Sequence, residues 1–474
     1  MAVPQTNLAW ETLFDLSATR PGALHQRLAE AIRTAVRAGR VPLGAALPPS
    51  RVLATDLRVS RWTVTQAYGQ LITEGYLSGK AGSATRVCWS PEPDQRPTKP
   101  RLAHAHPHHH APARYDLSQC TPEYRGFPRR RWVESVRAAA ETAPFDRLGY
   151  AEPGGESRLR EVLADHLDRR RGTHIDPSLM SIFTGARQAM AAISHALVED
   201  GHLRLAVEDP GSPGLWEAAS AAGLELVGLP VDRHGMVVDA LDEVPDVRAV
   251  CLGPAHQVAT GAVLPPDRRR RLLAWADRVG GLVIEDDYDS EFSYDGLAPP
   301  AMQGMDPGRV ALLGSMSRTM TPTVNVGWIV APRRWVEAVR AEPRLAATAP
   351  ALNQLALAHF LESGAYDRHL RSSRQRFRAR RNTLVSELTR LLPDARISGQ
   401  QSGLHFLLDL PHGATASRVL AAAPQRSLAL CDVNLLRLHG PNDEQHIQIG
   451  YGNLADSLVA EAAGVLAELI DAAS

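Results

Sequence analysis

The sequence predicts an α/β main domain, a mostly parallel sheet with helices on both faces, preceded by a small winged helix-turn-helix. Three observations predict it. Four short apolar runs, "LRLAVEDPG", "VRAVCLGPA", "GLVIEDDYD" and "RVALLGSM", alternate with helical patterns along the last 360 residues, the arrangement of a parallel sheet with its chemistry at the strand ends. Near the start, two short helical patterns flank a tight turn and precede a pair of strand candidates set among glycines. Between these regions, residues 90–114 lose apolar periodicity and become rich in proline and histidine, as a linker does.

Length and charge agree with that division. A chain of 474 residues with 44% hydrophobic content exceeds what one core holds and implies two or three folded units. Residues 1–90 carry ten Lys or Arg against five acidic residues, a surplus of +5, so the rest of a chain that is neutral overall carries −5. A small basic unit joined to a large acidic one points to a polyanion as partner of the first; a charged, solvated surface would give the same surplus. Cys88, Cys120, Cys251 and Cys431 lie far apart without a CxxC spacing, which argues against a zinc site and a disulfide framework. No apolar run approaches the roughly 20 residues that cross a bilayer, and "MAVPQTNLAWE" lacks the basic and apolar regions of a secretory leader. The expected location is the cytoplasm, with no membrane partner.

Residues 1–89 form the expected first domain. "GALHQRLAEAIRTAVRAGRV" places Leu24, Leu28, Ala31, Ile32, Ala35 and Val36 on one helical face, with Gly39 as a stop. Ser50 is the expected cap of a helix carrying Val52, Leu53, Ala54 and Leu57, "RVS" turns, and Ser60 caps the next helix. That helix buries Val64, Ala67, Tyr68 and Leu71 and leaves Arg61, Thr65, Gln66 and Gly69 outward. "GYLSGKAGSATRV" supplies the two strands of a wing. In the linker, His104, His106, His108, His109 and His110 have no acidic or cysteine partner nearby, so a solvated spacer is expected rather than a metal site.

"LPPSRVLATDLRVSRWTVTQAYGQLITEGYLSGKAGSATRV" resembles the winged helix-turn-helix of the GntR family of bacterial repressors. The resemblance implies double-stranded operator DNA as partner, met by Arg51 at the start of the second helix and by Ser60, Arg61 and Thr63 at the start of the recognition helix. Gln66, outward on that helix, completes the expected contact set. The chemistry is sound, because helix N-termini and hydroxyls suit phosphates and arginine pairs with guanine through two hydrogen bonds. Trp62 stands where a small polar residue is usual, so base preference does not carry over.

The main domain, residues 115–474, is expected as a large part to about residue 330 and a smaller C-terminal part from about 331. Its motifs run in order: "LGYAEPGGESRLREVLADHLDRRRG" (148–172), "IFTGARQAM" (182–190), "VEDPGSPG" (207–214), "GPAHQVATG" (253–261), "IEDDYDSEFSYDG" (284–296) and "GSMSRTMTP" (314–322). Their order is similar to that of a fold-type I aminotransferase and, with the head, the chain resembles the MocR/GabR-like transcriptional regulators. The resemblance implies a pyridoxal-phosphate pocket in which Asp286 holds the ring nitrogen and Tyr288 contacts the ring hydroxyl. Around them the pattern departs. Ser212 replaces a stacking aromatic, Ala186 and Arg187 stand in the "GSQQ" turn, Asn325 replaces the phosphate-binding arginine, and Arg318 stands at the Schiff-base lysine.

Arginine bias does not excuse that last change. The only lysines are Lys80 and Lys99, against fifty arginines, but a Schiff base needs an amine that can lose its proton, and guanidinium stays protonated up to a pKa above about 12. No catalytic residue is therefore expected, no covalent cofactor, and no role for pyridoxal phosphate beyond a weak non-covalent ligand. Arg187, Ser315, Ser317 and Arg318 could gather around a small anionic effector; equally, Arg187 and Arg318 could pair with the acids of "EDDYD". Gln448 stands where aminotransferases carry a carboxylate-gripping arginine, with Arg437 near in sequence. The expected function is a homodimeric, sequence-specific DNA-binding regulator whose large domain dimerises and senses a ligand. The alternative is a pyridoxal-phosphate-dependent enzyme, or a regulator responsive to that cofactor, with a DNA-binding head.

Overall fold

The computed structural model describes residues 22–79, 84–89, 113–118, 122–149, 152–294, 298–341, 349–399, 401–440 and 442–474, together with Trp10, Phe14 and Leu16. They belong to two compact units, Met1–His109 and His110–Ser474. Residues 80–83 of the wing and 90–112 of the expected linker, its five histidines included, lie outside the described residues.

In the first unit, α1 (Leu24–Arg37), α2 (Ser50–Asp56) and α3 (Arg61–Thr73) precede the antiparallel pair β1 (Leu77–Ser78) and β2 (Arg86–Val87). Their core is Leu28, Ile32, Leu53, Val64, Leu71 and neighbours at helical spacing. The turn between α2 and α3 uses Arg58 in the left-handed region, φ 54°. Arg33 on α1 holds Glu74 beyond α3 through two nitrogens at 2.9 and 3.0 Å, and the Tyr68 hydroxyl donates to the Pro48 carbonyl at 2.9 Å. Three expectations need correction. Ser50 is the first helical residue rather than a cap, Pro49 holding the cap position, because the fixed φ of proline suits an extended entry. Val52 and Leu24 point outward, 49% and 39% exposed, so the apolar faces of α2 and α1 are narrower than their patterns.

The second unit centres on an eight-stranded sheet in the order β4-β11-β10-β9-β8-β5-β6-β7. These strands are β4 (Met180–Phe183), β5 (Arg204–Asp209), β6 (Glu225–Asp232), β7 (Gly235–Met236), β8 (Ala249–Leu252), β9 (Leu282–Asp287), β10 (Val310–Ser315) and β11 (Gly327–Val330). The four runs singled out in the sequence become β5, β8, β9 and β10, which lie side by side and parallel. Their side chains alternate with period two. Leu205, Val207, Cys251, Ile284 and Leu313 pack under helices Ala186–Glu199 and Pro213–Ala221. Ala206, Val250, Leu252 and Val283 pack on Leu272 and Trp275 of helix Pro266–Val279. Helices on both faces keep the sheet's backbone dry and leave its strand ends as the place for polar groups.

C-terminal to this sheet, β12 (Arg396–Ser398), β13 (His405–Asp409) and β15 (His446–Gly450) form an antiparallel sheet. The long helix Ala365–Leu391 and the last helix, Val459–Ala473, share its core through Leu384, Leu388, Ala462 and Leu466. Strand β14 (Leu428–Ala429) pairs with β3 (Tyr115–Asp116), tying this C-terminal region back to the first strand of the unit.

Candidate functional site

On the first unit, the structure brings the N-terminal ends of α2 and α3 together, Arg61 Nε lying 3.5 Å from Ser50 Oγ. Arg51, Ser60, Arg61 and Gln66 are all exposed there. Ser60 caps α3 as expected, accepting from the Thr63 amide at 3.1 Å, worth about 1 kcal/mol to the helix. Thr63 differs from the expectation. It is 5% exposed, and its hydroxyl lies 2.8 Å from that of Ser60, so it fixes the cap rather than presenting itself at the surface. Trp62 beside it is 62% exposed.

On the second unit, a pocket opens at the strand ends, lined by Glu208, Ser212, Trp216, Cys251, Asp286 and Tyr288 among others. Glu208 is the last residue but one of β5, and desolvation pushes its carboxyl up to about 8 although the Gly253 amide donates to it at 2.9 Å. Asp286, at the end of β9, rises to about 7, first through burial and then through Asp287 and Asp289; the Arg318 charge acts the other way. Arg318 therefore sits within electrostatic reach of Asp286, and its charge also bears on His405 and Tyr124. The Tyr288 hydroxyl is 2.9 Å from His256 Nδ1, which faces Asp289 Oδ2 at 2.9 Å. His405 of β13 joins them, so that ligating atoms of His256, Asp289 and His405 lie within 4.8 Å of one another, a spacing that could also hold a cation. Gly403 lets β13 approach, since its φ of +71° is left-handed and a Cβ there would meet His256 Cε1 at 2.2 Å.

The acids of "EDDYDSEF" are distributed among other partners. Arg171, fully buried, takes Asp287 at 2.8 Å and reaches Glu285 at 3.7 Å. Glu291 binds His166 at 2.6 Å and Arg374 at 3.0 Å, and their hydrogen bonds and charges outweigh burial and hold its carboxyl down at about 2. Arg187 is not paired with the acids of "EDDYD", as one alternative had it. It stands at the start of helix Ala186–Glu199 as expected, but its guanidinium is half exposed and pairs with Glu217 of the next helix at 2.6 Å, because its long side chain lies across that helix. Ser315 ends β10, and its hydroxyl accepts weakly from the Ser317 amide at 3.4 Å. Asn325 is exposed with φ 57°, a left-handed position that asparagine tolerates well. Gln448 is fully buried and donates to the Val258 carbonyl at 2.6 Å, which gives it a structural task. Arg437 faces Asp443 at 3.6 Å.

Sequence patterns missed Glu208, Trp216 and the His256–Asp289–His405 group. Trp216 had a usable signal, one helical turn after Ser212.

The gntR family of bacterial regulatory proteins matches residues 24–87, and aminotransferase class I and II matches residues 119–464. The pyridoxine biosynthesis regulator PdxR of Corynebacterium glutamicum is 33% identical across 97% of this chain and 98% of its own length. The chain belongs to the MocR/PdxR-type transcriptional regulators. A second member of this MocR-type family, the probable rhizopine catabolism regulatory protein MocR of Rhizobium meliloti, is 30% identical over 92% of each chain. An archaeal alanine:glyoxylate aminotransferase aligns with a TM-score of 0.69 at 21% identity, covering 76% of this chain and 91% of that one, and shows the aminotransferase fold. The MocR-type chain is thus a DNA-binding regulator carrying an aminotransferase-like domain. Among the described residues, no helix is long and apolar enough to cross a membrane.

Proposed function

We propose that this MocR-type regulator works in the cytoplasm as a homodimer built through its aminotransferase-like units, reads its operator through Arg51, Arg61 and Gln66, and senses a small anionic effector without covalent chemistry. The observation that carries the sensing half is that residues 100–474 contain no lysine, while Arg318 stands by Asp286. A guanidinium stays charged and forms no Schiff base. The pocket does not fit covalently held pyridoxal phosphate, and the unit has no transaminase activity. Asp286 and Tyr288 still suit the ring of that cofactor, so a weak, reversible association is compatible with the site. Arg318, Ser315 and Ser317 supply the charge and hydroxyls for an anion; Arg187, tied to Glu217, leaves that group.

Incubation with pyridoxal phosphate, borohydride reduction and peptide mapping test the proposal. The expected result is loss of the cofactor on gel filtration, no visible Schiff-base absorbance from the large unit, and no pyridoxyl group on residues 100–474. A reduced cofactor mapped to that unit would sink it.

A further inference from the structure

Trp62 is the second residue of α3 and is 62% exposed. The core side of that helix is filled by Val64, Ala67, Tyr68 and Leu71, so the indole has no part in packing it. Its aromatic neighbour is His25 of α1, edge-on with ring centroids 5.5 Å apart and planes at 75°. Around it stand the exposed Arg61, Thr65 and Gln66. A large apolar plate therefore sits, already braced on one edge, in the middle of the basic face that the head presents to DNA.

The first residues of a recognition helix meet base edges in the major groove. Three of the four bases offer only hydrogen-bonding groups there, and thymine alone adds an apolar one, its C5 methyl. An indole carries one donor and no acceptor; its broad face gains most by covering that methyl. Bracing by His25 reduces the rotamer freedom lost on docking. We infer that Trp62 reads a thymine methyl in the major groove and sets base preference at the position beside the one met by Arg61. The inference rests on the DNA-binding role of the head.

Full-length protein is used to enrich binding sites from a randomised duplex library, and each thymine of the enriched duplex is then replaced singly by deoxyuridine, which removes only the C5 methyl. The parent should lose about fourfold in affinity at one thymine per half-site, the value of one buried methyl group. Trp62→Ala should bind the enriched duplex more weakly and treat thymine and uracil alike at that position, while Trp62→Phe should keep part of the discrimination. Thermal melting of the variants should match the parent, as the side chain is exposed; if Trp62→Ala unfolded, Trp62→Gln would be measured in its place. A parent indifferent to every uracil, or a uracil penalty that survives in Trp62→Ala, overturns the inference. So does a uniform loss on all sequences. Arg61→Ala, run alongside, should lose specific binding; if it binds like the parent, the recognition face itself is misassigned and the thymine contact falls with it.

Discussion

Replacing Glu208 by glutamine should stabilise the large unit, and by more as pH rises. The Glu208 side chain is 6% exposed, accepts from the Gly253 amide at 2.9 Å and shares its pocket with Asp286. Burial raises its carboxyl from 4.5 to about 8. The folded state thus holds a proton that the unfolded chain has released, and stability falls as pH rises between those values and stops falling above about 8. At about 1.4 kcal/mol per pH unit, the full loss is about 5 kcal/mol. Glutamine keeps the shape and an oxygen for the Gly253 amide but cannot ionise. Glu208→Gln should therefore match the parent within about 1 kcal/mol near pH 5 and exceed it by several kcal/mol at pH 8. Scanning calorimetry of the full chain at pH 5, 6, 7 and 8 reads this, the larger unit giving the larger transition enthalpy. The parent-minus-variant difference removes the titration of distant groups. A gap that stays flat with pH, or a variant less stable than the parent throughout, would show Glu208 ionised in the folded protein and refute the argument.

Arg61→Ala and Arg51→Ala should each weaken specific operator binding by about 1–3 kcal/mol, read by salt-controlled titration, while the large unit melts as in the parent; unchanged affinity in both would dismiss the assigned face. Sedimentation of the full chain at micromolar concentration should give a dimer, and a monomer that still binds operator would reject dimerisation through the aminotransferase-like unit. In Arg318→Met the Asp286 carboxyl, about 7 in the parent, should titrate at higher pH, because the positive charge that favours its ionised form is gone. NMR titration of carbon-13-labelled aspartate carboxyls, with Asp286→Asn to assign the signal, follows that group; a midpoint that stays or falls would separate Arg318 from Asp286.

What was legible in the sequence was what local pattern determines. Val250 and Cys251, or Val283 and Ile284, face opposite helical layers because strand alternation is a property of adjacent residues. Ser60 was readable as a cap for the same reason, its acceptor serving an amide three residues on. Ser50 misled because two prolines and a serine in succession all suit a helix entry, and nothing local decides which sits at the cap. The pocket required contacts between distant segments. His256, Asp289 and His405 come from the loop after β8, the loop after β9 and the start of β13, so no spacing announces them. Arg187 was placed correctly at a helix start, yet its partner is Glu217, thirty residues on, and only packing of two helices selects that pair over the acids after β9.

On the proposed reading, the residues at positions 318 and 325 depart from the resembled pattern for separate physical reasons. In an arginine-rich chain with two lysines, drift of an exposed lysine to arginine costs little. On the reading proposed above, an arginine at position 318 forms no Schiff base while keeping a cation near a carboxyl that burial has lifted to about 7. A neutral residue there would leave Asp286 to be protonated through more of the physiological range; arginine holds it closer to ionised without a bound cation. Asparagine at 325 runs against the arginine bias and sits at φ 57° on the surface, where its short polar side chain suits the left-handed backbone. Arg318 thus acts on the electrostatics around Asp286, and Asn325 serves a turn. If the pocket holds no covalent cofactor, as proposed, the acid at the end of β9 is kept for charge balance and ligand polarity rather than as partner of an electron sink.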